Sequence, residues 1–255
     1  MKRCGLLGKN IKYSKSPQIH NKYYLEKKVP ISYDIFYINE DQIPNFINNL
    51  GEENIIGFNV TIPYKEKIIK YLSKLVYPAD KIGAVNTVIV EDNKLIGYNT
   101  DYYGFIKSLG CFNINLQGKK VLVIGAGGAA KCIVVALRDL NCSSIVIAAR
   151  NTYKAKEYFM NGYKVVSLHD SIDLLDYDIV INCTPLGSVN YKNILPINFT
   201  RIKEKCIFYD LIYKPEKTEF LRKAEQLGAF IINGEKMLMY QAYRAADIWI
   251  ENMDT

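Results

Sequence analysis

Short apolar runs and longer amphipathic stretches alternate along the first part of the chain. The runs are rich in β-branched and aromatic residues and predict four strands, Cys4–Gly8, Asp34–Ile38, Ile55–Thr61 and Val85–Val90. The stretches between them have the apolar spacing of helices and cover Pro17–Lys28, Asp41–Leu50 and Tyr64–Leu75. Asp92 and Asn93, directly before Lys94–Tyr98, predict a hairpin turn at the sheet edge. This alternation predicts βαβ units and a mostly parallel sheet.

A second unit of the same class begins where the pattern weakens, around Phe105–Gln117. It has a helix at Ala129–Leu140 and predicted strands at Val121–Ile124, Ser144–Ala149, Ile179–Asn182, Cys206–Leu211 and Phe230–Ile232. The last segment, Gly234–Trp249, has an apolar residue every three positions, which predicts a helix with one buried face. We therefore expect an α/β protein of two domains, with the first boundary near Asp101–Phe105.

A glycine-rich loop joins the first strand of the second unit to its helix. Gly125 permits a tight turn, Gly127 lets the backbone approach a phosphate, and Ala130 is small enough for close packing of helix on strand. A strand before such a loop and a helix after it are typical of a dinucleotide site, because the helix N-terminus offers amide donors to a pyrophosphate. The alternative is a glycine turn that binds no ligand.

The residues after the next strand indicate which dinucleotide is bound. In NAD-binding domains an Asp or Glu at this point takes the ribose hydroxyls. No acidic residue lies between Val146 and Lys154, whereas Arg150 and Lys154 are close together in sequence. Two cations suit the 2′-phosphate of NADP, so the sequence predicts NADP as the cofactor. The alternative is that both are ordinary surface cations.

Composition excludes several other classes of protein. The formal net charge is +7, but the 33 Lys and Arg residues are dispersed rather than collected in one patch, so no nucleic-acid partner is expected. No apolar run reaches the roughly 18 residues of a membrane span, and no apolar signal segment follows the first residues. Two distant histidines and six scattered cysteines predict neither a metal site nor disulfides. We expect a cytoplasmic protein with a small-molecule partner and no membrane contact; the oligomeric state is open, a homodimer included.

Polar residues at the ends of predicted strands mark a second candidate site, in the first domain. They are Asn59, Thr61, Lys65 and Asp101, all at or after the carboxyl edge where parallel sheets bind ligands. Each has a structural explanation alone, but the four together do not easily have one. Ser14-Lys15-Ser16-Pro17 precedes a helix and by itself would be a hydroxyl turn or a helix cap.

With these motifs the sequence resembles the shikimate dehydrogenase family. The matching blocks keep the family's order and spacing from residue 5 to residue 241. They are Ser14-x-Ser16-Pro17, Asn59-Val60-Thr61-x-Pro63-x-Lys65, Gly83-Ala84-Val85-Asn86-Thr87, Gly97-x-Asn99-Thr100-Asp101-x-x-Gly104, Gly125–Lys131, Asn182-x-Thr184-Pro185-Leu186-Gly187, Asp210-Leu211-Ile212-Tyr213-x-Pro215 and Gly234-x-x-Met237-Leu238-x-x-Gln241. The resemblance implies NADPH-dependent reduction of 3-dehydroshikimate to shikimate, a step of chorismate and aromatic amino acid biosynthesis.

The resemblance also implies a division of labour between the domains. Residues 1–101 and 236–255 would form a substrate-binding and catalytic domain, to which the C-terminal helix returns. Residues 102–235 would form a Rossmann-like NADP-binding domain, and hydride transfer would take place in the cleft between the two.

The family's functional residues map onto this chain one by one. Lys65 and Asp101 would be the catalytic pair. The substrate-binding residues would be Ser14, Ser16, Thr61, Lys65, Asn86, Asp101, Tyr213 and Gln241. The cofactor-binding residues would be Gly125, Ala126, Gly127, Gly128, Ala129, Ala149, Arg150, Asn151, Lys154, Leu211 and Gly234. The chain departs from the family's usual residues at Tyr13, Tyr64, Tyr77, Ala149 and Asn151, whereas Arg150 agrees with them.

Chemistry supports the same pair, and two alternatives remain open. Reduction of a ketone needs a proton at the developing alkoxide, and the Lys65 ammonium can both stabilise the oxyanion and donate that proton.

One alternative function is a quinate or dual-specificity dehydrogenase that uses NAD. Ser14, Thr61 and Arg150 argue against it. The other is an NADPH-binding sensor without catalysis, against which the intact Lys65 and Asp101 speak.

Overall fold

The chain forms two compact units. The computed structural model describes residues 1–9, 11, 14–92, 94–159 and 162–253. One unit comprises Met1–Gly104 with Met239–Thr255, and the other comprises Phe105–Leu238. Tyr13 and Asn93, both named above, lie outside the described residues. No described helix is both long and apolar enough to cross a membrane.

The first unit is built on a mixed six-stranded sheet. Its strands are β1 (Lys2–Gly8), β2 (Ile31–Tyr37), β3 (Ile55–Val60), β4 (Lys74–Leu75), β5 (Thr87–Glu91) and β6 (Lys94–Tyr98), in the order β2-β1-β3-β5-β6-β4. The pairs β1–β2, β1–β3 and β4–β6 are parallel. The pairs β3–β5 and β5–β6 are antiparallel. The prediction of a mostly parallel sheet is confirmed.

The register of this sheet brings several chain segments to one edge. Because β5 runs against its neighbours, it begins where β3 and β6 end: Thr87 pairs with Asn59 on one side and with Tyr98 on the other. Asn59 also pairs with Leu6 near the end of β1. The residues just beyond β1, β3 and β6, and just before β5, therefore share this edge.

Helices cover the first sheet. They are α1 (Ser16–Lys27), α2 (Ile43–Asn48) and α3 (Ala79–Ile82), with 3₁₀ turns at Glu40–Gln42 and Lys67–Tyr71. The next helix, α4 (Thr100–Gly110), begins two residues after β6, and its residues from Phe105 onward belong to the second unit. The C-terminal segment packs on the same sheet through Trp249, which is 1% exposed and donates from Nε1 to the Val88 carbonyl at 2.9 Å. A Cβ at Gly57 would lie 2.2 Å from that Nε1, so the close approach requires glycine.

The predicted helix over Tyr64–Leu75 is wrong. Only the 3₁₀ turn Lys67–Tyr71 forms there, and Lys74–Leu75 is the edge strand β4. The carbonyl of Lys65, which a helix would use internally, accepts the N–H of Val85 at 2.8 Å instead. A bond to a distant segment has replaced a helical one, although the apolar spacing is helical. Conversely, α4 occupies part of the stretch in which the sequence pattern weakens.

The second unit has a fully parallel six-stranded sheet. Its strands are β7 (Lys120–Ile124), β8 (Ser144–Ala149), β9 (Lys164–Ser167), β10 (Ile179–Asn182), β11 (Ile207–Asp210) and β12 (Phe230–Ile232), in the order β12-β11-β10-β7-β8-β9. This is the doubly wound order of Rossmann domains, which reverses between β7 and β10. The remaining helices are α5 (Gly128–Asp139), α6 (Thr152–Tyr158), α7 (Glu219–Gln226) and α8 (Glu235–Glu251).

Candidate active site

An ion pair lies at the shared edge of the first sheet. Lys65, in the turn after β3, places Nζ 2.6 Å from Oδ2 of Asp101, which lies in the first turn of α4. A carboxylate suits this position because the N-terminus of a helix carries a partial positive charge. The side chains are 26% and 18% exposed, so the pair is fixed but still open to a ligand.

Asn86 links this pair to its surroundings. Its Nδ2 donates to Oδ1 of Asp101 at 2.9 Å and to Oγ1 of Thr100 at 3.0 Å. Gln241 reaches the same amide, with Oε1 at 3.4 Å from Nδ2. Hydrogen bonds thus join four side chains into one group, Lys65, Asn86, Asp101 and Gln241. The bonded residues are between 15 and 155 positions apart in the sequence.

The two predicted serines lie together at the start of α1. Ser14 donates from Oγ to Oγ of Ser16 at 3.1 Å and accepts the N–H of Ser16 at 3.2 Å. Lys15 is the N-cap of α1 and makes no capping bond through its side chain, so the segment is a hydroxyl turn and not a side-chain cap. Both hydroxyls are half-buried, and each combines donor and acceptor capacity, which suits recognition of a carboxylate.

Thr61 is held over the end of β1. Its N–H donates to the Leu7 carbonyl at 3.0 Å, and a Cβ at Gly8 would lie only 2.6 Å from the Thr61 methyl group. The absence of a side chain at Gly8 therefore allows Thr61 to lie this close.

Tyr213 belongs to the second unit, and its place beside the serines stays a prediction.

The glycine loop of the second unit has the backbone that a pyrophosphate site needs. Gly125 adopts a φ of 110°, which is strained for residues with a Cβ. A Cβ at Gly127 or Gly128 would meet nothing within 4 Å, so the N-terminus of α5 is approachable from that side. The first turn of α5 contains no acidic residue, which would repel phosphate. The loop fits a dinucleotide.

Two cations follow the neighbouring strand at the same edge. The register pairs Ile124 with Ala148, so Arg150 lies just beyond the strand end beside the glycine loop. Asn151 caps α6 by accepting the N–H of Lys154 at 3.0 Å, and the first turn of α6 has no acidic residue. Arg150 and Lys154 are exposed and suit a 2′-phosphate in charge and position.

The last two predicted cofactor residues lie in contact with each other. A Cβ at Gly234 would be 2.0 Å from the Leu211 carbonyl oxygen, so no larger residue fits there without movement of the backbone. Leu211 directly follows β11 at the carboxyl edge of the sheet. All predicted cofactor residues therefore end strands of this sheet, follow them or lie in the first turn of the helices after them.

A buried polar network behind this edge has no role in the sequence predictions. Asp210, 0% exposed at the end of β11, accepts from Nδ2 of Asn182 at 3.0 Å, from the N–H of Ile212 at 3.0 Å and from Oγ1 of Thr218 at 2.6 Å. Asn182 in turn accepts the N–H of Thr184 at 3.0 Å. The network ties together the loops after β10 and β11. The sequence indicates this network only through Asn182 and Asp210, two polar residues that end apolar strands.

Asp210 makes the stability of the protein depend on pH. Burial raises its pKa from 3.8 to about 6, although the hydrogen bonds from Thr218, Ile212 and Asn182 oppose the rise. The folded state therefore binds this proton more tightly than the unfolded chain. The resulting stabilisation is complete below about pH 4 and lost as pH rises through about 6, an effect of about 3 kcal/mol at most.

We expect Asp210→Asn to remove this pH dependence while preserving most hydrogen bonds. Other carboxylates also titrate in this range, so the informative quantity is the melting temperature of the variant minus that of the unaltered protein. Measured from pH 4 to pH 7.5, this difference should increase with pH. A difference that stays flat or decreases contradicts the assignment.

Two family models match most of the chain. The model of the shikimate dehydrogenase substrate-binding domain matches residues 6–88. The model of shikimate/quinate 5-dehydrogenase matches residues 109–210. The chain is also 53% identical to the NADP⁺-dependent shikimate dehydrogenase of Clostridium botulinum (strain Loch Maree / Type A3) over 252 residues, which cover 99% of this chain and 98% of the relative.

Solved structures agree with the family models. A shikimate 5-dehydrogenase from Thermus thermophilus, in complex with NADP(H) and shikimate, is 29% identical with a TM-score of 0.89, over 98% of this chain and 94% of the other. A shikimate 5-dehydrogenase from Listeria monocytogenes, in complex with shikimate and NAD, is 28% identical with a TM-score of 0.91, over 99% and 92%. The motifs, both folds and these similarities together lead to one conclusion: the chain belongs to the shikimate dehydrogenase family.

Proposed function

We propose that this protein reduces 3-dehydroshikimate to shikimate with NADPH, in the biosynthesis of chorismate and aromatic amino acids. The observation that carries the proposal is the Lys65–Asp101 pair at 2.6 Å, joined to Asn86 and Gln241 at an open sheet edge. The names of the relatives support the same activity. An NADPH-binding sensor without catalysis would have no need of such a pair.

The substrate is a small acid with several hydroxyl groups, and the edge offers a partner for each part. The hydroxyls of Ser14 and Ser16 would donate to the substrate carboxylate, with Tyr213 as a further partner. Thr61 would bind beside them. The ring hydroxyls would be bound by four side chains that combine donors and acceptors, Lys65, Asn86, Asp101 and Gln241.

Lys65 carries the acid–base step in this proposal. Bound NADPH supplies a hydride to the carbonyl carbon. As negative charge develops on the carbonyl oxygen, the Lys65 ammonium stabilises it and transfers a proton from Nζ, which yields the alcohol. Asp101 keeps Nζ in place through Oδ2, while Asn86 holds Oδ1 of the same carboxylate. In shikimate oxidation Lys65 takes the proton back.

NADP would be held by the second unit. The amides of the loop formed by Gly125, Ala126, Gly127, Gly128 and Ala129 would bind the pyrophosphate at the N-terminus of α5. The adenosine 2′-phosphate would be bound by the residues after β8, with Arg150 and Lys154 as cations and Ala149 and Asn151 as neighbours. Leu211 and Gly234 would line the remaining part of the site.

The experiment that tests the proposal follows the absorbance of the reduced nicotinamide. Purified protein is given shikimate or quinate, each with NADP⁺ or NAD⁺. Highest kcat/KM is expected for shikimate with NADP⁺. Preference for quinate with NAD⁺ would favour the dual-specificity alternative, and absence of turnover with all four combinations would favour the sensor.

The cellular location and assembly belong to the proposal as well. We propose a cytoplasmic enzyme, where its substrate and NADPH are available. A homodimer is the assembly that we would test first, by light scattering after size-exclusion chromatography. A mass near 29.2 kDa would instead identify a monomer.

A further inference from the structure

Tyr33, the third residue of β2, makes a buried hydrogen bond through its hydroxyl group. The side chain is 1% exposed, and its ring stacks on that of His20 with centroids 4.0 Å apart and planes 5° apart. The Tyr33 hydroxyl donates to Oδ1 of Asn59 at 2.6 Å. Burial raises the pKa of this hydroxyl well above its ordinary value, opposed by a hydrogen bond with Ser16, so the group is a neutral donor near pH 7.

The contacts of Asn59 allow one orientation of its amide. With Oδ1 on Tyr33, both hydrogens of Nδ2 point at acceptors, the Asn86 carbonyl and Oγ1 of Thr87, each at 2.9 Å. In the reversed amide an oxygen would face the Asn86 carbonyl oxygen, which cannot donate. Asn59 is 5% exposed, so water does not readily replace these partners.

Further hydrogen bonds connect Asn59 with the Lys65–Asp101 ion pair. Thr87, which accepts from Asn59, donates to Oδ1 of Asn86 at 3.0 Å. The Thr100 N–H donates to that oxygen as well, at 2.7 Å. Nδ2 of Asn86 is thereby left to face Oδ1 of Asp101 at 2.9 Å, and Oδ2 is left for Lys65. Tyr33 and the Asn86 carbonyl together set the orientation of the Asn59 amide. The Thr87 hydroxyl and the Thr100 N–H together set that of the Asn86 amide.

We propose that Tyr33 is a positioning residue for the reaction: its hydroxyl anchors Asn59, and through Thr87 and Asn86 it holds the Asp101 carboxylate against Lys65. The inference rests on the proposed function of Lys65 and Asp101. Tyr33 itself contacts neither of them, so it acts on the pair through Asn59, Thr87 and Asn86.

Tyr33→Phe tests the inference because it keeps the ring and removes only the hydroxyl. It removes the Tyr33 donor from Oδ1 of Asn59, which loosens the position of Asn59 and, through it, of Thr87 and Asn86. Because a displacement of about 1 Å at a reacting group can cost about 10²-fold in rate, we expect kcat to fall by about 10- to 100-fold. The KM for NADP⁺ should change little, since none of its proposed contacts involves Tyr33. A rise in the KM for shikimate alone, with normal kcat, would report the lost bond between Tyr33 and Ser16 and not the series that leads to Asp101.

Tyr24→Phe is the matched control. Tyr24 is also 1% exposed and packs in the same cluster, but its hydroxyl takes no part in this series and has the Cys4 thiol as its neighbour. This variant should keep the kcat of the unaltered enzyme. Melting temperatures of both variants, measured in parallel, separate a loss of folded protein from a loss of rate.

Two variants of Thr87 provide an independent test of the same series. Thr87→Val removes the hydroxyl in nearly the same shape and should lower kcat as Tyr33→Phe does. Thr87→Ser should recover most of the activity lost in Thr87→Val. A normal kcat in Tyr33→Phe overturns the inference, and so does an equal loss in Tyr24→Phe. If the unaltered protein turns over shikimate, either result refutes the positioning role alone; if it does not, the proposed function itself fails.

Discussion

Replacing Lys65 by alanine is expected to lower kcat for 3-dehydroshikimate reduction by about 10²–10⁴-fold, the usual contribution of a general acid. The variant loses both the proton donor and the positive charge that stabilises the developing oxyanion. The KM for substrate should change much less, because Ser14, Ser16 and Thr61 would still bind it. Steady-state kinetics with purified variant and saturating NADPH measure both quantities.

Lys67→Ala is the control for the loss of a lysine in this segment. Lys67 lies two residues further on, is exposed and pairs with Glu40. Its replacement should leave kcat and KM unchanged. A Lys65→Ala enzyme with near-normal kcat would remove Lys65 from the chemistry, and the proposed mechanism with it. A large increase in KM with unchanged kcat would make Lys65 a binding residue only.

Replacing Arg150 by alanine is expected to raise the KM for NADPH by about 10- to 100-fold. A charge-assisted hydrogen bond to the 2′-phosphate contributes about 1.5–3 kcal/mol, and that contribution is lost in the variant. NADH lacks this phosphate, so its KM should not change. Adding Lys154→Ala should raise the KM for NADPH further and bring the two cofactors closer together in kcat/KM.

Lys156→Ala is the matched control, since Lys156 is an exposed lysine on the same helix two residues beyond Lys154. It should change neither cofactor's KM. If Arg150→Ala changed the KM values for NADPH and NADH equally, Arg150 would contact a part that both cofactors share. An unchanged KM for NADPH would make it an ordinary surface cation.

The dinucleotide loop was the part of the site most accessible from sequence. The motif around Gly125, its preceding strand and its following helix are contiguous, so spacing and turn chemistry alone predict them. Arg150 was equally accessible because a strand end is defined by a local apolar run. The polar network of Asp210 was not predicted, since its partners Asn182 and Thr218 lie in separate segments.

Errors arose where a local pattern competed with pairing to the sheet. Tyr64–Leu75 has helical apolar spacing, yet the Lys65 carbonyl binds Val85 and the Ser73 N–H binds the Leu95 carbonyl. These long-range bonds satisfy the backbone in place of helical ones. Apolar periodicity describes which side chains are buried, and it does not determine which backbone partner is used.

By itself the sequence determined the α/β class, the two domains' alternating elements, the dinucleotide loop and the residues that match the family. These properties depend on local periodicity and on turn residues at fixed spacing. Only the tertiary structure decided that β5 pairs antiparallel with β3, and that Tyr33, Asn59 and Asn86 form one series of hydrogen bonds ending at Asp101. Strand direction and contacts between distant segments depend on how whole elements pack, and no local pattern of side chains records that.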